Sequence, residues 1–105
     1  MVISVGAFLT FGYTSEDEVD IDWDLIENNN NPIVDMCVHC SYEYTILFVH
    51  LRNRRYTNYK GSVTEISTLD LSITEEDVIQ LKKCAMELGI SCDRNPYWFL
   101  VSYSI

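Results

Sequence analysis

Residues 1–51 contain no lysine and no arginine. That absence removes the cations that a nucleic-acid or anionic-membrane surface would need from the first half of the chain. The chain has only two prolines and four glycines, which excludes collagen-like and linker-rich architectures. No apolar run approaches the roughly 20 residues that a membrane helix needs. There is no nucleophile elbow, no phosphate-binding glycine loop and no dinucleotide fingerprint. The reading leans away from an enzyme and expects no catalytic residue, no metal and no cofactor.

What is present is acid. Residues 1–51 hold nine carboxylates, and seven of them fall between Glu16 and Glu27. Residues 52–105 balance seven carboxylates against seven basic residues, so the whole net charge of -9 sits in the first half. Such a block beside a neutral remainder points to a surface that meets something cationic. The partner-binding candidates are Glu16, Asp17, Glu18, Asp20, Asp22, Trp23, Asp24 and Glu27, with Trp23 as the apolar anchor. The plainer reading is a solvated face that aids solubility. Calcium fits poorly, because counting from Asp20 places Leu25 where an EF-hand loop needs Gly and Asn31 where it needs Glu.

Periodicity outlines one α+β domain over residues 1–105. Residues 2–13 alternate as a strand, with Ile3, Val5, Ala7, Leu9, Phe11 and Tyr13 on an apolar face expected to be the core face. The acidic block has two readings. Val19, Ile21, Trp23 and Leu25 alternate against the aspartates as in a half-buried strand, whose acids would stand about 7 Å apart. Ser15-Glu16-Asp17-Glu18 also opens like a capping box, with Val19, Trp23 and Ile26 at helical spacing. The acid-rich start tips the expectation to a helix over 15–27, with Val19, Trp23 and Ile26 inward.

Residues 33–40 and 42–54 read as one bent strand or two; the second is apolar on both faces, as a central strand would be. Residues 57–61 carry turn chemistry, and 62–71 read as the returning strand of a hairpin. A helix starts at Thr74, presents Val78, Leu81, Ala85 and Leu88 on one face, and stops at Gly89. Residues 97–105 form a last strand. The expected fold is α+β: a single-layer mixed or mostly antiparallel sheet of four to five strands, with one or two helices packed on one face.

Other chemistry-bearing residues are scattered. Cys37 and Cys40 lack the second ligand pair that structural zinc requires, since Cys84 and Cys92 have seven residues between them, not two. Buried thiols in a reducing cytoplasm are the simpler account. A second functional reading places a small-molecule or enzymatic site in the sheet-helix cleft around His39, His50 and a cysteine. Arg52 to Lys60 mixes cations with tyrosines, but the net charge opposes nucleic-acid binding. Tyr97–Ile105, if at a sheet edge, invites homodimerisation as a structural module. The leading expectation is a non-enzymatic, cytoplasmic acidic module that docks a basic protein partner, with no membrane or nucleic-acid role. A small acidic domain of this kind is similar in type to the immunity proteins and phage inhibitors that are often encoded on mobile elements.

Overall fold

The computed structural model of the chain describes residues 5–15, 20–40, 45–59 and 61–104. The elements run β1 (Val5–Thr14), α1 (Trp23–Glu27), β2 (Val34–Cys40), β3 (Thr45–Tyr59), α2 (Glu75–Glu87) and β4 (Tyr97–Ser104). The strands form one open sheet in the order β2-β3-β1-β4, and every neighbouring pair is antiparallel. This is the expected α+β fold, with four strands and two helices. Among the described residues, no helix is long and apolar enough to cross a membrane.

Helix α2 forms where its sequence signals place it. Thr74 Oγ1 accepts from the Asp77 amide at 3.1 Å, while Asp77 Oδ2 accepts from the Thr74 amide at 3.0 Å. Two otherwise unpaired amides are thereby satisfied. At the other end Gly89 takes φ 77°, a conformation L side chains disfavour. Its amide bonds to Met86 O and that of Ile90 to Ala85 O, closing a Schellman motif. Leu81, Cys84, Ala85 and Leu88 are buried against Leu47, Val49 and Leu51 of β3, Val34 and Met36 of β2, and Phe11 and Tyr13 of β1. Leu25 and Ile26 of α1 also pack against this cluster.

The other face of the sheet carries a second, smaller cluster of Phe8, Phe48 and Val101, with Cys37 and Phe99 packed on it. Its members all come from strands. This corrects the single core face expected for β1, because Phe8, Thr10 and Gly12 on the opposite side are buried as well. The physical reason is position: β1 lies between β3 and β4, so both of its faces are flanked by side chains of neighbouring strands.

Strand β3 contains a feature that alternation alone did not reveal. Gly12 pairs with His50 and Thr10 with Arg55, so the four residues Leu51 to Arg54 stand against Phe11 alone. The three extra residues are an odd number, so the side-chain alternation changes phase across this bulge. Arg55 consequently reaches the small-cluster face, with its guanidinium 4.0 Å above the Phe8 ring. Beyond the bulge β3 runs on to Tyr59, so Thr57, Asn58 and Tyr59 of the expected turn are strand, while Gly61 at φ 80° does turn the chain.

Residues 62–71 are not the returning strand that the pattern predicts. They are irregular, with one 3-10 turn at Ile66–Thr68, and Val63 is 96% exposed. Their hydroxyls bind nearby backbone instead: Ser62 Oγ donates to Tyr59 O and Thr68 Oγ1 to Glu65 O. Such local bonds compete with a sheet ladder. Arg54 ties the end of the segment back, donating to Ser72 O at 3.1 Å and pairing with Asp70 at 3.1 Å.

Candidate functional site

The acidic block is not a helix over 15–27. Among the described residues of the block only Trp23–Glu27 is helical, residues 20–22 belong to no helix or strand, and Glu16, Asp17, Glu18 and Val19 lie outside the described residues. The cap is Asp22, whose Oδ1 accepts from the Leu25 amide at 3.2 Å. Ser15 has other work: its amide donates to Leu47 O at 2.8 Å and its Oγ accepts from the Leu47 amide at 3.0 Å. Ser15 thus follows β1 and is tied to the central strand β3, while the described helix begins eight residues later with Asp22 as its cap.

The short helix turns Leu25 and Ile26 toward the core, where Ile21 before it also packs, and leaves Trp23 53% exposed, not inward as the 15–27 helix would have it. Asp20, Asp22, Asp24 and Glu27 are exposed around it. Among the described residues, no lysine or arginine forms an ion pair with these four acids. The ledge is held from behind by asparagines. Asn31 Oδ1 accepts from the Ile33 and Val34 amides at 2.8 and 3.1 Å, and Asn31 Nδ2 donates to Gln80 of α2 at 3.1 Å. Asn29 Nδ2 donates to Val34 O at 3.0 Å. A cavity of about 590 Å³ borders the ledge, lined in part by Asp22, Asp24, Lys83 and Glu87.

A second constellation forms across β2 and β3. Asp35 and Cys37 are two apart on β2, so they share a face, and His50 stands directly opposite Asp35. His50 Nε2 lies 3.5 Å from Cys37 Sγ and 3.8 Å from Asp35 Oδ2. His50 Nδ1 is 3.0 Å from Leu51 O. A carbonyl can only accept, so Nδ1 carries the proton and Nε2 presents its lone pair to the other two side chains. Phe48 packs on the imidazole at 5.7 Å and Phe8 at 6.3 Å between ring centroids. Arg52 reaches Asp35 Oδ1 at 3.6 Å from the solvent side.

This grouping brings together two members of the second sequence reading, but not where that reading put them. It lies on the sheet face opposite α2, not in the sheet-helix cleft, because Cys37 and His50 alternate with the helix-facing Met36, Val49 and Leu51. His39 lines a neighbouring cavity of about 220 Å³ together with Cys37, Phe8 and Arg55. The side chain of Cys40 lies outside the described residues. Asp35 was not singled out by sequence. The signal available was its place two residues before Cys37 in an apolar strand, where a carboxylate needs a partner.

Electrostatics keep the trio neutral at the thiol and the ring. Burial first, then the nearby Asp35 carboxylate, push the Cys37 thiol up to about 11. Burial pulls His50 below the ordinary histidine value, against the pull of the Leu51 carbonyl and Asp35. The arrangement is therefore not an activated nucleophile. In a Cys-His-acid relay the acid orients the ring nitrogen remote from the thiol, whereas here Asp35 and Cys37 face the same nitrogen. Burial also raises the thiols of Cys84 and Cys92. Iodoacetamide at neutral pH is expected to label Cys37, Cys84 and Cys92 at least about tenfold more slowly in the folded protein than in urea. Peptide mapping by mass spectrometry reads each site, and a Cys37 that reacts fastest when folded would contradict the raised thiol.

Of the cationic run Arg52–Lys60, residues 52–59 lie in the β3 bulge and the strand beyond it, and Lys60 lies outside the described residues. Its arginines are engaged within the protein: Arg52 with Asp35, Arg54 with Asp70 and Arg55 over Phe8. Strand β4 is an edge strand, and Leu100 on it is 70% exposed. Compared with protein families, with curated proteins and with solved structures, the chain matches none.

Proposed function

We propose that the protein is a non-enzymatic binding module that docks a basic protein partner in the cytoplasm, in the manner of an immunity protein or phage inhibitor. The observation that carries this reading is Trp23, a large aromatic 53% exposed on a short helix whose Leu25 and Ile26 are anchored in the core. Half-exposed tryptophans on fixed backbone make strong interface anchors, because little side-chain entropy is lost on burial. Asp20, Asp22, Asp24 and Glu27 surround it as a rim without internal cations among the described residues. The mechanism has two steps. The net charge of -9 steers a basic surface to the ledge, and Trp23 then enters an apolar pocket on that surface.

The test uses the full chain as bait in a host extract, with Trp23→Ala and the triple change Asp20→Asn, Asp22→Asn, Asp24→Asn as parallel baits. A partner retained by the wild type alone is expected to be basic. Trp23→Ala is expected to weaken it by about 30-fold or more, chiefly through faster dissociation. The triple change is expected to slow association and flatten the salt dependence. Binding indifferent to salt and to all four substitutions would sink the proposal.

A further inference from the structure

We propose that Asp35, Cys37 and His50 bind one zinc ion on the sheet face opposite α2. The three donor atoms, one oxygen, one sulfur and one nitrogen, all lie within 4.8 Å of one another. Zinc holds sulfur at about 2.3 Å and imidazole nitrogen at about 2.0 Å, so at a tetrahedral angle those two ligands stand about 3.5 Å apart. Cys37 Sγ and His50 Nε2 are 3.5 Å apart. Nitrogen and oxygen ligands at about 2.0–2.1 Å subtend about 3.3–3.4 Å. The His50 Nε2 to Asp35 Oδ2 separation of 3.8 Å needs only a small carboxylate rotation to meet that value.

The surroundings also suit a metal. Leu51 O accepts the Nδ1 proton, which fixes the tautomer and aims the Nε2 lone pair at the site, as outer partners of metal-bound histidines do. Arg52 on Oδ1, together with the Met36 amide at 3.0 Å, orients the Asp35 carboxylate and leaves Oδ2 for the ion. Binding displaces the Cys37 thiol proton to solvent, and the charges then balance, because a dication with one thiolate and one carboxylate is neutral. Arg52 and Arg55 therefore face no net positive centre. Mixed nitrogen, sulfur and oxygen donors favour zinc over the oxygen-seeking magnesium and calcium. Three protein ligands leave a fourth position for water or another donor. The site lies across the sheet from the core that α1 packs against, so its failure and that of the Trp23 ledge are separable.

Cobalt(II) titration of the chelator-treated full-length protein tests this. One equivalent is expected to bring in the near-ultraviolet thiolate-to-cobalt charge-transfer band and the strong visible bands of tetrahedral cobalt, and zinc is expected to displace them. Cys37→Ser should abolish the charge-transfer band, and Cys84→Ser should leave it intact. Asp35→Asn, a partly exposed position that keeps the side-chain shape, should weaken binding by about tenfold or more with an unchanged near-ultraviolet circular dichroism spectrum. Zinc should raise Tm of the wild type but not of Cys37→Ser. Absence of the cobalt bands, or a charge-transfer band that survives Cys37→Ser, overturns the proposal.

Discussion

Replacing Gly12 with alanine is expected to destabilise the protein by about 3 kcal/mol or more, enough to unfold a domain of this size in part at ambient temperature. The cause is a close backbone approach. A Cβ at this position would overlap the Val49 carbonyl oxygen, and would lie 2.9 Å from its carbon and 3.0 Å from His50 Cα. These are backbone atoms of a central strand, so no side-chain rotation relieves the clash. The bulge would have to open, and with it the register that sets His50 beside Gly12. Gly61 supplies the control. It has φ 80° but nothing within 4 Å of an added Cβ, so Gly61→Ala should cost only about 1 kcal/mol. Urea midpoints of the two variants give the comparison. Equal costs would mean that the close approach at Gly12 is absent.

Leu81→Ala is expected to cost about 3 kcal/mol, within the range of 2–5 found for buried leucines. Leu81 is fully buried on α2, amid Cys84, Ala85, Leu88 and the helix-facing side chains of β1, β2 and β3. The loss has two parts: the transfer of the removed atoms, and a cavity that β3 backbone cannot collapse to fill. Ile79, two residues earlier and 52% exposed, is the matched comparison, and Ile79→Ala should stay within about 0.5 kcal/mol. Thermal unfolding of both variants measures the difference. A Leu81→Ala Tm like that of Ile79→Ala would mean that α2 does not rest on the sheet by this face.

Much of the fold is legible where one local rule acts without competition. Thr74, Asp77 and Gly89 bound α2 through caps that need only neighbouring residues. Tyr97 onward alternates and becomes β4. Legibility fails where two local rules compete. Ser15-x-x-Glu18 reads as a cap, but Ser15 pairs with the β3 backbone and the described helix takes Asp22 as its cap. Trp23 sits at helical spacing from Ile26, yet with the cap at Asp22 it belongs to the first turn and faces water. Val63 and Ile66 look like strand residues, but Ser62, Thr64 and Thr68 bind local groups instead.

The candidate sites divide in the same way. The acidic ledge is a property of consecutive residues, so charge counting finds it. The metal-binding trio is not, because Asp35 and His50 are 15 positions apart and meet only through the β2-β3 register. Alternation places Cys37 and His50 each on a face of its own strand, but it does not say which faces coincide.

The sequence by itself determined the α+β class, the bounds of α2, the anionic first half and the scarcity of cations that leaves it uncompensated. These follow from local propensity and composition, which need no partner element. Only the tertiary structure decided the β2-β3-β1-β4 order, the bulge that requires Gly12 and turns Arg55 onto the small-cluster face, the exposure of Trp23, and the convergence of Asp35 and Cys37 on one nitrogen of His50. Each depends on strand register, which is set by long-range pairing and by packing on both faces of the sheet.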